Sequence, residues 1–397
     1  MSLIEIKKKR DYKTVKIFGL EFKIPRKDYK ATFRPFKRLK TDTALNNDGF
    51  SLMTYSDSVA GDSVAVRYFI YALEKAGIIY ERLPLKGDIL PKYKNKITFS
   101  NAPHFKPKEY NNISVFYWEF EDGMPEFFPS AFDGIKAVIC FSSFNEEYFK
   151  KIAPWNVKIY KLPFIPCIER ENLLPKKEIR EKFGIPADSF VAYFNFSYNS
   201  SYGRKNPEAI VRAFAKAFPN DEKTCLVFKT VGSGCNANNK YKAALQDCIQ
   251  KNGLSKKTII IEESLSDNEN HSLINACDVY ISLHRGEGIG LGMLEAMIMG
   301  KPVIATAYGG NTDFIQKGHS FPVPYTMIAP KFNDIPDYAA VSKAAEPDAD
   351  ESAKILRNLY EDENLREETG KKALEFTKYY CSIEKYKEIM PLILKEL

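Results

Sequence analysis

The stretch Val279-Tyr280-Ile281-Ser282-Leu283, followed by His284-Arg285-Gly286-Glu287-Gly288-Ile289-Gly290-Leu291-Gly292-Met293-Leu294-Glu295-Ala296-Met297, reads as a strand, a glycine-rich turn and a helix ending near Gly300. Glycines at 286, 288, 290 and 292 remove Cβ atoms where backbone must approach a ligand closely. Behind them the helix start offers unpaired N–H groups and the positive end of its dipole, an arrangement suited to phosphate. The spacing is not the dinucleotide pattern G-x-G-x-x-G, because Met293 stands where a third glycine would follow Gly288 and Gly290. Instead two carboxylates, Glu287 and Glu295, are eight positions apart. With one on the loop and one about one and a half turns into the helix, they are expected on the order of 10 Å apart. A diphosphate held at the helix start would then have a carboxylate on either side. Carboxylates accept hydrogen bonds from hydroxyls, so Glu295 suits a ribose and Glu287 a sugar.

The same strand–turn–helix pattern extends outward in both directions. Upstream, Ser51–Thr54, Lys96–Ser100, Ile113–Trp118, Ala137–Phe141 and Val157–Leu162 read as strands. Gly61 precedes Val66, Phe69, Ile70 and Leu73 at helical spacing. The Pro- and charge-rich stretch Pro163–Pro186 breaks the alternation and reads as a linker. Beyond it, Phe190–Phe196, Cys225–Thr230, Thr258–Ile261 and Val303–Thr306 read as strands. Asn206-Pro207 caps a helix with Ile210, Val211, Phe214 and Phe218 on one face, and Ser266-Asp267-Asn268-Glu269 forms a capping box. Short apolar strands alternating with helices predict parallel sheets covered on both faces. The expected architecture is α/β with two Rossmann-like domains, residues 1–170 and 171–374. Residues 375–397 are expected to form a helix crossing back to the first domain.

Composition narrows the class. The chain has 397 residues, 44% hydrophobic and 27% charged, which excludes wholesale disorder and collagen-like repeats. No apolar run approaches the ~18–20 residues of a spanning helix, and Met1–Arg10 is charged rather than a signal peptide. Seven scattered cysteines without a C-x-x-C pair fit a reducing compartment, so the reading is a cytoplasmic protein. The net charge of +7 is concentrated in residues 1–40, where 14 Lys/Arg face 4 Asp/Glu. Such an arm suits an anionic membrane surface or an acidic acceptor. Within it, Thr14–Pro25 reads as two short strands about Gly19, a hairpin appendage. No RRM signature or basic–aromatic repeat points to nucleic acid. No H-E-x-x-H or Cys/His cluster points to a metal. Asp348-Ala-Asp350 lies in the polar stretch before a helix rather than after a strand, a capping position. His271 and His319 read as surface residues.

These motifs resemble glycosyltransferase family 4, retaining enzymes of the GT-B fold. The resemblance spans roughly residues 48–325. It rests on Glu287 and Glu295 as the E-x7-E motif, on Gly300-Lys301-Pro302-Val303-Ile304-Ala305-Thr306 with Gly310-Asn311-Thr312-Asp313, and on Arg204-Lys205-Asn206-Pro207. Ser282-Leu283-His284-Arg285 and Trp118-Glu119-Phe120-Glu121 look like a branch of bacterial surface-polysaccharide transferases. The resemblance implies a nucleotide-sugar donor, a glycan or lipid-linked acceptor, and neither a cofactor nor a metal. It assigns Glu295 to the donor ribose and Glu287 to the donor sugar. Phosphate binding goes to backbone at Gly288, Ile289, Gly290 and Leu291, and diphosphate neutralisation to Lys205. The base pocket falls near Glu263, Ser264 and Leu265. The family arginine five positions before Lys205 is Ser200 here, so Arg204 or Arg285 is expected to substitute. In the first half Gly61 and Arg67 keep a family loop in which Ser63 and Val64 replace a Gly and a Glu. His104 and Glu119 are expected on the donor sugar or acceptor. The alternatives are a non-catalytic sugar-nucleotide or glycan-binding scaffold and a GT-B-fold epimerase.

Overall fold

A computed structural model describes residues 4–8, 12–17, 20–25, 46–54, 61–84, 91–99, 109–124, 131–220, 223–232, 239–330, 332 and 338–397. The chain divides into two compact units. The first holds an antiparallel sheet of β1 (Ile4–Lys8), β2 (Tyr12–Ile17) and β3 (Leu20–Pro25). The expected hairpin is therefore a three-stranded meander. Ile4 and Ile6 alternate with Glu5 and Lys7 as a strand requires, a pattern that the lysine run after it obscures.

The second unit holds two six-stranded parallel sheets. β4 (Asn46–Thr54), β5 (Tyr80–Pro84), β6 (Tyr93–Phe99), β7 (Asn111–Val115), β8 (Ala137–Cys140) and β9 (Lys158–Lys161) pair in the order β5-β4-β6-β7-β8-β9. β10 (Phe190–Ser197), β11 (Thr224–Val231), β12 (Thr258–Ile261), β13 (Val279–Ser282), β14 (Val303–Thr306) and β15 (Phe321–Val323) pair as β12-β11-β10-β13-β14-β15. All ten pairings are parallel. β16 (Tyr325–Ile328) and β17 (Ala344–Pro347) form a separate antiparallel pair.

The described helices, in order, are α1 (Gly61–Lys75), α2 (Ser143–Ile152), α3 (Lys176–Lys182), α4 (Tyr202–Lys205), α5 (Pro207–Ala217) and α6 (Asn239–Lys251). They continue as α7 (Asp267–Ala276), α8 (Leu291–Ile298), α9 (Ala349–Glu361), α10 (Glu363–Tyr380) and α11 (Glu384–Glu396). The predicted capping box forms, with Ser266 and Glu269 bonding each other's backbone N–H. α5 starts at Pro207 and buries Ile210, Val211 and Phe214. Asp348 caps α9 by accepting from the N–H groups of Asp350 and Glu351, although it follows β17 directly, where no strand was expected.

Three further expectations are corrected. The strand expected to reach Trp118 ends at Val115, because Asn145 takes over the Trp118 backbone, accepting from its N–H at 3.2 Å and donating to its carbonyl at 2.6 Å. The linker reading of Pro163–Pro186 misses α3, whose Ile179 and Arg180 are buried in the second half. Its Glu/Lys-rich composition concealed a short helix with only those two inward positions. Residues 375–397 are not one helix but the end of α10 and all of α11, broken at Cys381–Ile383. α11 does return to the first sheet: Glu396 pairs with Lys158 at 2.7 Å and accepts from Tyr160 at 2.6 Å.

Strand order reverses between β10 and β13, and ligands in open α/β sheets bind beyond the carboxyl ends of strands at such a switch point. The loop after β13 is the glycine-rich one. The segment after β10 carries Arg204 and Lys205.

Candidate active site

The turn into α4 is set by Ser201 and the turn out by Asn206, both left-handed at φ 67° and 51°. Non-glycine residues hold this conformation only where side chains fix it. Here the Ser201 hydroxyl accepts from the Arg204 N–H at 3.1 Å, and the Asn206 amide donates to the Leu283 carbonyl at 3.0 Å. The single turn of helix is thereby placed over the glycine-rich loop. Arg204, 3% exposed, donates to the carbonyls of Gly286 at 2.9 Å and Ser200 at 3.0 Å. It stands 3.6 Å from both Glu287 and Glu119. Lys205 pairs with Glu287 at 2.5 Å. Burial alone would raise the Glu287 pKa, but Lys205 and Arg204 override it and hold this carboxyl down to about 2.

Two of the loop glycines have a packing reason besides the one expected. A Cβ on Gly286 would meet the Phe120 ring and the Glu119 carbonyl, and one on Gly292 would meet the Tyr280 hydroxyl and Asn195. Both clear room for neighbouring protein atoms. Gly288 lies against Tyr117 and Trp118, and its carbonyl accepts from the Ser142 hydroxyl at 3.1 Å. Gly290, at φ 94°, is the N-cap of α8, a conformation that glycine adopts without strain.

Glu295 is buried on α8 and accepts from the Tyr68 hydroxyl at 2.8 Å. The same hydroxyl lies 3.0 Å from His271 Nε2. His271 is thus a buried neighbour of Glu295 rather than a surface residue, since the side of α7 that carries it faces α8 and Tyr68. Desolvation raises the Glu295 pKa above the usual carboxylate value. Beside this group Arg67 forms a two-point pair with Asp267, at 3.0 and 2.7 Å. His319 is half-buried, stacked on Phe376 with ring centroids 4.1 Å apart.

One cavity of about 480 Å³ brings together Glu287, Glu295, Arg204, Lys205, Gly288, Ile289, Gly290, Leu291, Ser264 and Leu265. Glu119 lines it as well, its pKa raised by burial, with the Tyr338 hydroxyl bonded to it. Gly61 opens α1, whose Val64, Ala65 and Tyr68 reach the cavity. Arg285 does not line it: its guanidinium pairs with Glu346 at 2.5 Å and donates to the Gly203 carbonyl at 2.8 Å. Of the two arginines expected to substitute at Ser200, Arg204 lines the cavity and Arg285 does not. His104 lies outside the described residues.

Sequence reasoning missed Lys229, Asn195, Tyr280 and Tyr338, all lining the cavity. Tyr338 arrives on the excursion between β16 and β17. Its ring packs on Phe120 at 5.2 Å and Trp118 at 5.5 Å, with the Arg204 guanidinium 5.7 Å from its centroid. No local signal marks that excursion in the sequence.

His284, fully buried behind Glu287, gives this site a pH signature. Burial pushes its imidazole down to about 3, against an ordinary value of 6.5. The unfolded chain takes up a proton below pH 6.5 that the folded chain refuses, so stability falls as pH falls from 6.5 toward 3. Between pH 7 and 5 this one group costs about 2 kcal/mol. Chemical denaturation should show that much more loss in the wild type than in His284→Gln. Equal losses in the two proteins would contradict it.

Two Rossmann-like halves with parallel sheets on either side of this cavity make a GT-B glycosyltransferase fold. Sucrose-phosphate synthase of Thermosynechococcus elongatus is similar at a TM-score of 0.64 and 14% identity, over 88% of this chain and 98% of that one. HepE of Anabaena, solved with UDP and glucose, is similar at 0.59 and 14%, over 88% and 100%. Residues 175–376 match the family described as glycosyl transferases group 1, and the chain belongs to that family. The alpha-monoglucosyldiacylglycerol synthase of Streptococcus pneumoniae is 29% identical over 166 residues, 41% of this chain and 34% of that protein. The chain spans about a third of the length of the curated relatives it matches.

Proposed function

We propose that this protein is a retaining, metal-independent glycosyltransferase that moves a sugar from a nucleotide-sugar donor to a hydroxyl of a glycan or lipid-linked acceptor. The observation that carries the reading is the buried charge set. Two cations, Arg204 and Lys205, and two carboxylates, Glu287 and Glu295, converge on one cavity at a helix start. Buried charges are costly unless paired: Lys205 has Glu287 as its close partner, and Arg204 stands 3.6 Å from both Glu287 and Glu119. A diphosphate suits these two cations and the helix start beside them, its oxygens taking the place of the carboxylates.

In the proposed reaction Lys205, Arg204 and the start of α8 hold the diphosphate and stabilise it as it leaves. Glu295 exchanges the Tyr68 hydroxyl for ribose hydroxyls, and Glu287 holds the sugar. The sugar C1–O bond to the diphosphate breaks. The acceptor oxygen forms the new C1–O bond on the same face, and its proton passes to a leaving phosphate oxygen. Closure of the two halves around both substrates supplies positioning.

The test is to incubate the protein with a panel of nucleotide sugars in EDTA and follow nucleoside diphosphate release. The configuration of the released or transferred sugar is then read by NMR. Diphosphate release with retained configuration supports the reading. No release from any donor, or inversion, overturns it.

The role proposed is in cell-surface polysaccharide synthesis at the cytoplasmic face of a membrane. Among the described residues no helix is long and apolar enough to cross one. The charge excess of residues 1–40 supports peripheral attachment to anionic lipid. Sedimentation with liposomes checks this, and equal binding to anionic and neutral vesicles would defeat it.

A further inference from the structure

Lys229 has no part in the chemistry above, yet it is 4% exposed and lines the same cavity. Its ammonium donates to the Thr230 carbonyl at 3.0 Å, and among the described residues no carboxylate forms an ion pair with it. Burial pulls its pKa down, with Glu263 opposing from a distance. An ammonium has three N–H donors and accepts nothing. A buried cation with one carbonyl partner is costly in the free protein, and a ligand bearing acceptor oxygens relieves that cost.

Its place on the sheet says which part of a ligand it meets. Lys229 is the partner of Asn195 on β10 and of Ile261 on β12, so it stands two strands from β13 and its phosphate-suited loop. At ~4.8 Å per strand that is about 10 Å sideways. Glu295 and His271 lie on the helices after β13 and β12. A nucleotide running from the start of α8 past Glu295 would extend toward the side of the cavity that Lys229 lines, with Ser264, Leu265 and Asn270 also in its wall.

We propose that Lys229 reads the donor base by donating to a ring carbonyl oxygen, selecting uracil or guanine over adenine. This rests on the nucleotide-sugar reading and adds to it a side chain that chooses the base. Uracil and guanine present carbonyl acceptors on the edge where adenine presents an amino donor. A charge-assisted bond of this kind is worth about 10–100-fold in affinity.

Calorimetry of the wild type and Lys229→Met with UDP, GDP, ADP and inorganic pyrophosphate tests it. The wild type should bind UDP or GDP at least about tenfold tighter than ADP. Lys229→Met should lose that preference and keep its affinity for pyrophosphate. A wild type that binds ADP as well as the others overturns the proposal without the variant. Equal weakening of pyrophosphate and every nucleotide in Lys229→Met also overturns it, because Lys229 would then act on phosphate. A folded wild type that binds none of the four overturns the donor-site reading itself.

Discussion

Glu287→Ala is expected to lower donor cleavage and sugar transfer by about 10²–10³-fold, the usual size for one lost transition-state contact, while nucleoside diphosphate binding is kept or strengthened. The two halves of this result have one cause. In the free protein Glu287 is the close partner of Lys205 at 2.5 Å and stands 3.6 Å from Arg204. A diphosphate must compete with it for both cations. Removing the carboxylate removes the competitor, so product binding does not suffer. In the proposed reaction the sugar loses the group that would hold its hydroxyls, so the chemistry does. The cost falls on the free protein, where buried Lys205 is left without its partner and Arg204 keeps only Glu119. Rates under saturating donor, beside calorimetric titration of the diphosphate, separate the effects. Diphosphate binding that weakens in step with the rate would place Glu287 on the phosphates instead.

Arg180→Ala, outside the cavity, should destabilise the fold by about 3–5 kcal/mol. The Arg180 guanidinium, in the stretch that composition marks as a linker, donates to the carbonyls of Ala276, Pro186, Ala187 and Ser189 at 2.8–3.2 Å. It also pairs with Asp278 at 2.8 Å. Asp278 in turn accepts from the Val191 N–H at 2.8 Å, at the entrance to β10. One side chain therefore ties α3, the end of α7 and the first strand of the second sheet. Its loss leaves four carbonyls short of a donor and a carboxylate short of its best partner, which is a large part of a total of roughly 5–15 kcal/mol. Urea unfolding should show a lower midpoint with an unchanged slope. Arg180→Lys should recover only part of the loss, because an ammonium cannot span the same five acceptors. A cost below about 1 kcal/mol for the alanine variant would mean that Lys176 and water replace the network.

The parts of the site that were legible in the sequence are those made within one continuous segment. The strand before His284, the glycines that follow and Glu295 on the helix behind them are all local, and so are the Ser266 capping box and the Pro207 helix start. Contacts between segments were not legible. Arg204 and Arg285 are equally good candidates in sequence, and the left-handed turn at Ser201 decides between them by aiming one inward and leaving the other to Glu346. The packing role of Gly286 and Gly292 was not legible, because Tyr280, Asn195 and Phe120 come from other strands and loops. His271 reads as a residue of a polar, well-capped helix, and only the neighbouring α1 and α8 make it internal. Lys229 looks like an ordinary strand residue until β10 and β12 cover both its sides.

In the proposed function this cavity holds a nucleoside diphosphate with its ribose on Glu295. This placement is tested most directly by titrating UDP, GDP, ADP, TDP and CMP in EDTA against the wild type and Glu295→Ala. At least one diphosphate should bind the wild type without metal, and should bind Glu295→Ala at least about tenfold more weakly, as the loss of a charge-assisted hydrogen bond implies. A folded wild type that binds none of the five, or binding that Glu295→Ala leaves unchanged, would contradict it.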